Sequence, residues 1–211
     1  MSLATERELR LPDGGAVRIR RAVPDDAGAV LRYLRQVGGE TDNLTFGSEG
    51  PNLSESEERE YLARVGESDN SLAVVATVGD AIVGSLTFDG GHRPRLRHAG
   101  EFGISVAQAY AGLGIGRALI EHMLEWAERG GVVRKINLKV RADNAGAIRL
   151  YQRMGWVSEG RTTRDTLIDG QFNDCLLMGR EVEPRCAVEG REETKRPAGA
   201  MAPPGRKSKQ D

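Results

Sequence analysis

Three glycines at alternate positions, Gly112, Gly114 and Gly116, stand where a strand-like run gives way to a helical pattern, and this junction constrains the chain more than any other feature. Upstream, Ala99–Val106 reads as a strand. Downstream, Ile115, Leu119, Ile120, Met123, Leu124 and Ala127 form an apolar stripe at helical spacing, with Arg117, Glu121, Glu125 and Glu128 away from it. Residues without a β-carbon let the chain turn tightly and bare its backbone donors. The first N–H groups of the helix, with the positive end of its dipole, then face whatever anion sits there. A phosphate or pyrophosphate is the natural ligand. The alternative is that the glycines only end a strand and cap a helix. Two other phosphate motifs fail on spacing. A GxGxxG fingerprint started at Gly112 or Gly114 needs its third glycine where Arg117 or Leu119 stands, and no Gly-Lys pair exists to make a P-loop.

Charge leaves the binding of any such anion to local geometry. Thirty lysines and arginines face 31 acids, a formal net charge of −1, so no global field favours nucleic acid or an anionic membrane. The first 15 residues lack the apolar core of a signal peptide, and no later stretch approaches the roughly 20 apolar residues of a membrane-spanning helix, so a cytoplasmic location is expected. Cys175 and Cys186 have no CxxC spacing, and His92, His98 and His122 have no ligand spacing; no metal site is expected. The length suits one domain. Residues 183–211 carry four of the eight prolines and few large apolar side chains, which marks a disordered C-terminal tail after a domain of residues 1–182.

Periodicity orders the rest. Residues 16–20 form a first strand, and Pro24-Asp25-Asp26 opens a helix carrying Ala29, Val30, Tyr33, Leu34 and Val37. Ser54 and Glu57 have capping-box spacing and start a second helix. Residues 71–77 and 81–88 make a hairpin around Gly79-Asp80, ahead of the Ala99–Val106 strand. After the glycine turn and its helix, Ile136, Leu138 and Val140 alternate with Asn137, Lys139 and Arg141 in a half-covered strand. Asn144 opens a helix that ends before Gly155, and residues 156–164 and 171–178 pair through Asp169-Gly170. The mixture specifies an α/β fold with helices on both faces of one sheet.

The segment around the glycines resembles the acetyl-CoA motif of GNAT acetyltransferases, usually arginine or glutamine followed by GxGxG/A. Here Gly112, Gly114 and Gly116 are in register, Arg117 follows, and Ala111 replaces the usual polar residue. The run from Asn144 through Ala147, Leu150 and Tyr151 to Gly155-Trp156 resembles the family's NxxAxxLYxxxGF segment, with tryptophan for phenylalanine. Seven residues separate Asn144 and Tyr151, which places both on one helix face about 10 Å apart. The resemblance spans residues 17–181. It implies a mixed, mostly antiparallel sheet with a splay between the fourth and fifth strands, here Ala99–Val106 and Lys135–Arg141.

By that resemblance, acetyl-CoA is the co-substrate. Ala111, Gly112, Gly114, Ile115, Gly116 and Arg117 hold its pyrophosphate, while the segment Ile104, Ser105, Val106 holds the pantetheine arm by strand-like pairing through the main chain of Ile104 and Val106, and Asn144 adds a side-chain hydrogen bond. An amine acceptor, from a small molecule or a protein, attacks the thioester directly in a ternary complex. An alkylammonium has a pKa of about 10.4, so a proton must leave first; Glu101 takes it, directly or through water. Backbone N–H groups near Val106 stabilise the oxyanion, and Tyr151 protonates the departing thiolate. Glu40, Asp42 and Glu49 either attract a cationic acceptor or form a solvated loop, and His98 is a further candidate for the acceptor side. A non-catalytic acyl-CoA-binding module is the alternative function. Dimers are common among proteins of this type, which makes a homodimer an open expectation.

Overall fold

A computed structural model describes residues 6–12 and 14–185. The strands are β1 (Arg7–Arg10), β2 (Ala16–Arg21), β3 (Leu72–Val78), β4 (Ala81–Gly90), β5 (Ala99–Val106), β6 (Lys135–Arg141), β7 (Val157–Ile168) and β8 (Gln171–Glu181). The helices are α1 (Ala27–Glu40), α2 (Glu55–Glu67), α3 (Ile115–Gly130) and α4 (Ala145–Arg153). The strands form one sheet in the order β1-β2-β3-β4-β5-β6-β8-β7, antiparallel throughout except for β5 beside β6. The expected mixed, mostly antiparallel α/β sheet is therefore present.

The apolar run of β3 explains the layering. Leu72, Val74 and Ala76 pack with Leu119, Ile120 and Met123 of α3, whereas Ala73 and Val75 pack with Val30 of α1 and Leu62 and Val65 of α2. A strand covered on both sides needs apolar residues at successive positions. Both helix starts take the form the sequence specifies. Ser54 accepts from the Glu57 N–H while the Glu57 carboxylate accepts from the Ser54 N–H, and the Asn144 side chain accepts from the Ala147 N–H at 3.1 Å. The α3 helix ends at Gly131 in the left-handed conformation (φ +69°). Asp169 and Gly170 both have positive φ, the geometry of a two-residue hairpin turn between β7 and β8.

Strand β1 was not anticipated. Its Arg-Glu-Leu-Arg sequence has little β propensity, and it becomes a strand by pairing with β2 from Arg7↔Ile19 to Arg10↔Ala16. The splayed pair, fourth and fifth when β1 is left out, is thus β5 and β6. Past β8 the chain is tied to the α3 side by Val182 N–H to the Arg134 carbonyl and Arg185 N–H to the Glu128 carbonyl, each 3.0 Å. From residue 186 onward the expected tail lies outside the described residues.

Candidate active site

β5 and β6 pair over only three rungs, Ala99↔Lys135, Gly100↔Ile136 and Glu101↔Asn137. Beyond Glu101, β5 stays with β4 as far as Gly84↔Val106, while β6 follows β8 as far as Arg141↔Cys175. The strands part, leaving facing edges without a partner strand. The Ala107 N–H donates to the Val83 carbonyl of β4 at 3.0 Å. Main-chain groups alternate sides along a strand, so those of Ser105 and Gly103 also face β4, and those of Ile104 and Val106 face the gap.

At one end of the gap lies the glycine turn. Gly112 and Gly114 have φ +76° and +84°, conformations that favour glycine, and Gly114 is the N-cap of α3 without a side-chain cap bond. The first intrahelical bond there runs from the Ala118 N–H to the Gly114 carbonyl (3.0 Å), which leaves the N–H groups of Ile115, Gly116 and Arg117 for a ligand. Gly116 has no such φ requirement. A β-carbon there would meet Val106 at 3.8 Å, an ordinary contact. The Arg117 guanidinium is paired with Glu121 at 2.8 Å, so what Arg117 offers the turn is its main chain.

A cavity of about 820 Å³ occupies the gap and continues beneath α1 and α2. Of the residues singled out from sequence its lining brings together Glu101, Ile104, Ser105, Val106, Ala111, Gly116, Asn144 and Tyr151; Gly112, Gly114, Ile115 and Arg117 lie at the turn outside the lining. Tyr151 is 7% exposed, and its ring meets Phe102 edge-on at 5.9 Å. Burial pushes its phenol up to about 12, so it holds its proton throughout the neutral range. Asn144 spends its carbonyl oxygen on the helix cap and keeps its amide N–H₂ group for the cavity. The Ser105 hydroxyl is hydrogen-bonded to the Tyr33 hydroxyl of α1 at 3.0 Å, so its side chain is committed to α1. Burial also raises the Tyr33 phenol.

The acceptor-side candidates separate. Glu40 and Asp42 line the cavity, with Glu40 accepting from the Gln108 N–H at 2.7 Å. Glu49 instead accepts from the Gly47 N–H at 2.7 Å in its own loop, and it is not part of the lining. His98 is also outside it; its carbonyl accepts from the N–H groups of Arg134 and Lys135. Among the described residues no cluster of three or more His, Cys, Asp or Glu side chains could hold a metal ion.

Residues 40–156, which contain both the glycine turn and the Asn144 to Trp156 segment, match the acetyltransferase (GNAT) family. The chain belongs to that family. It is 32% identical over 120 residues to the L-amino acid N-acetyltransferase AaaT of Escherichia coli K12, covering 57% of this chain and 74% of that protein. It is 25% identical over 149 residues to the spermidine N(1)-acetyltransferase of Vibrio cholerae, covering 70% and 85% respectively. A GNAT-family acetyltransferase crystal structure from Streptococcus pneumoniae superposes with a TM-score of 0.76 at 33% identity, over 79% of this chain and 99% of that one. The N-acetyltransferase activity and acyl-CoA donor expected from the glycine motif are those of the GNAT family.

Several residues in or beside the cavity escaped the sequence reading. Tyr33 reads as one more apolar position of α1, and nothing local reveals its bond to Ser105. Tyr61 of α2 reaches across to Asp89, 3.2 Å from both carboxylate oxygens, and Asp89 is the cross-strand partner of Glu101. Glu58 lines the cavity too, and its signal was available: it falls at helical spacing with Leu62 and Val65 on the buried face of α2.

Proposed function

We propose that this GNAT-family enzyme transfers the acetyl group of acetyl-CoA to a primary amine by direct attack within a ternary complex. The observation that carries the reading is one gap with main-chain donors along one edge, a buried phenol beside it and a glycine-built helix start at its end. The N–H groups around Gly112, Gly114, Ile115, Gly116 and Arg117, with the adjoining Ala111, cradle the pyrophosphate. Ile104 and Val106 pair with the pantetheine arm as a short added strand, Ser105 keeps that strand seated on α1, and the Asn144 amide adds a donor. Glu101, exposed on the cavity wall, takes the ammonium proton directly or through water. An N–H group near Val106 stabilises the tetrahedral oxyanion, and the carbon–sulfur bond breaks as Tyr151 delivers its proton to the thiolate.

The catalytic unit we assign is residues 1–182, so a chain ending at residue 185 is expected to keep full transfer. A cytoplasmic location suits the free Cys175 thiol. A homodimer would cover Leu167 and Phe172, exposed cross-strand partners on the β7–β8 hairpin, and sedimentation velocity reads it directly. The central test is release of free CoA thiol from acetyl-CoA across a panel of amines, amino acids and peptides. Amine-dependent thiol release that Tyr151→Phe suppresses supports the reading; tight donor binding with no transfer to any acceptor overturns it.

A further inference from the structure

Five carboxylates line the cavity, those of Glu40, Asp42, Glu58, Glu101 and Asp165, against two basic side chains, Lys139 and Arg141. Both bases are already engaged, Lys139 with Asp165 at 3.1 Å and Arg141 with Asp143 at 2.6 Å. Among the described residues Glu58, Glu101 and Asp42 have no ion pair, so the uncompensated charge of the cavity is negative. Glu58 stands apart from the other two. It is 5% exposed, and among the described residues its carboxylate has neither a hydrogen bond nor an ion pair. A carboxylate largely withdrawn from water into a cavity, with no partner among the described residues, costs stability. Burial raises its pKa above the ordinary glutamate value, as an empty charge-binding position would.

Its surroundings suit a ligand with a charged end and an apolar body. Tyr61, one turn further along α2, carries its hydroxyl to Asp89, and Asp89 stands opposite Glu101 on the neighbouring strand. The acid expected to meet the reacting nitrogen and the orphaned acid of α2 therefore belong to one continuous lobe. Leu34, Leu44, Phe46 and Leu53 also line it. Methylene groups fit such a wall, whereas the carboxylate of a free amino acid would meet net negative charge with no basic side chain left to receive it.

Resting on the proposed function for the location of the reacting amine, we propose that Glu58 recognises a second positive charge on the acceptor. The substrate class is then a small dicationic amine, its reacting nitrogen at Glu101 and its remote ammonium at Glu58. The remote ammonium supplies the hydrogen bonds and countercharge that the Glu58 carboxylate lacks in the protein alone.

Calorimetric titration of the CoA-loaded protein with diaminobutane, diaminooctane, butylamine, octylamine and free phenylalanine tests this. A charged hydrogen bond predicts that at least one diamine binds about 10- to 100-fold more tightly than the monoamine of equal length. Glu58→Gln, checked for an intact melting transition, is expected to abolish that preference, and Glu58→Asp to move it toward the longer diamine. Equal affinity of diamine and monoamine for the native protein overturns the proposal without recourse to any variant. So does a diamine preference that survives Glu58→Gln, or tighter binding of phenylalanine than of every diamine. Thiol release followed in the same samples separates the two readings. A Glu58-dependent diamine preference without acetyl transfer overturns the proposed function and supports the dication site, whereas transfer without the preference does the reverse.

Discussion

The two halves of the cavity present different kinds of group. The half around β5, β6 and the start of α3 offers main-chain groups: the edge at Ile104 and Val106 and the helix start after Gly114. The half beneath α1 and α2 offers side chains: Glu58, Glu101, the Tyr61–Asp89 pair and an apolar wall. Main-chain recognition is indifferent to most substitutions that leave the backbone path alone, so on the proposed function an alanine at position 111 is no obstacle. Side-chain recognition changes with a single residue.

Substitutions on each side can break or sharpen the contrast. The largest effect is expected at the junction. Tyr151→Phe should lower kcat by about 10²- to 10⁴-fold, the usual weight of a positioned proton donor, while the donor Kd measured by calorimetry stays within a few-fold. A matching fall in donor affinity would move Tyr151 from chemistry to binding. Next comes Gly114→Val, which places a β-branched residue at φ +84°. It should weaken CoA binding by about 10-fold or more and cost about 1–3 kcal/mol in chemical denaturation. Unchanged CoA affinity there would remove the glycine turn from the donor site.

In the half beneath α1 and α2, Glu58→Gln should stabilise the protein near pH 7, read as a small rise in Tm. The sign follows from linkage. The folded-state pKa lies above the unfolded value, so the buried charge costs stability above the folded pKa, and the cost is relieved as pH falls through it. The advantage of the glutamine variant should therefore shrink as pH is lowered toward the ordinary glutamate range; an advantage that widens there would contradict the buried, unpaired state. Smallest of all is Gly116→Ala. Its β-carbon meets only ordinary contacts, and CoA affinity should change by less than about 3-fold. A large loss would mean that the donor approaches the backbone of α3 more closely than the other glycines require.

The same division explains what could be read from the sequence. Strand alternation, the capping pairs at Ser54 and Asn144, and the positive-φ glycines are local, and local physics fixes each of them. The half around β5 and the start of α3 is assembled almost wholly from such elements, so its conformation was legible in the sequence. Tyr33 reaching Ser105 and Tyr61 reaching Asp89 are contacts between elements 72 and 28 residues apart, and no periodicity announces them. Glu49 looked equivalent to Glu40 and Asp42 because sequence proximity to a groove says nothing about where a loop folds back on itself. The β1 strand was hidden for the same reason, its conformation being supplied by β2.

Directly past the last shared rung of β5 and β6, the rings of Phe102, Tyr151 and Trp156 sit 5.6 to 6.3 Å apart, and the indole N–H of Trp156 donates to the Ile136 carbonyl at 3.1 Å. This aromatic keystone holds the fork in the sheet as a part of the core, so on the proposed function the thioester arm would enter a slot that is already cut. Tyr151 belongs both to this cluster and to the cavity lining, so its ring props the fork whatever its hydroxyl does. Deleting the ring would collapse the doorway together with the chemistry, and only the loss of a single oxygen atom can tell them apart.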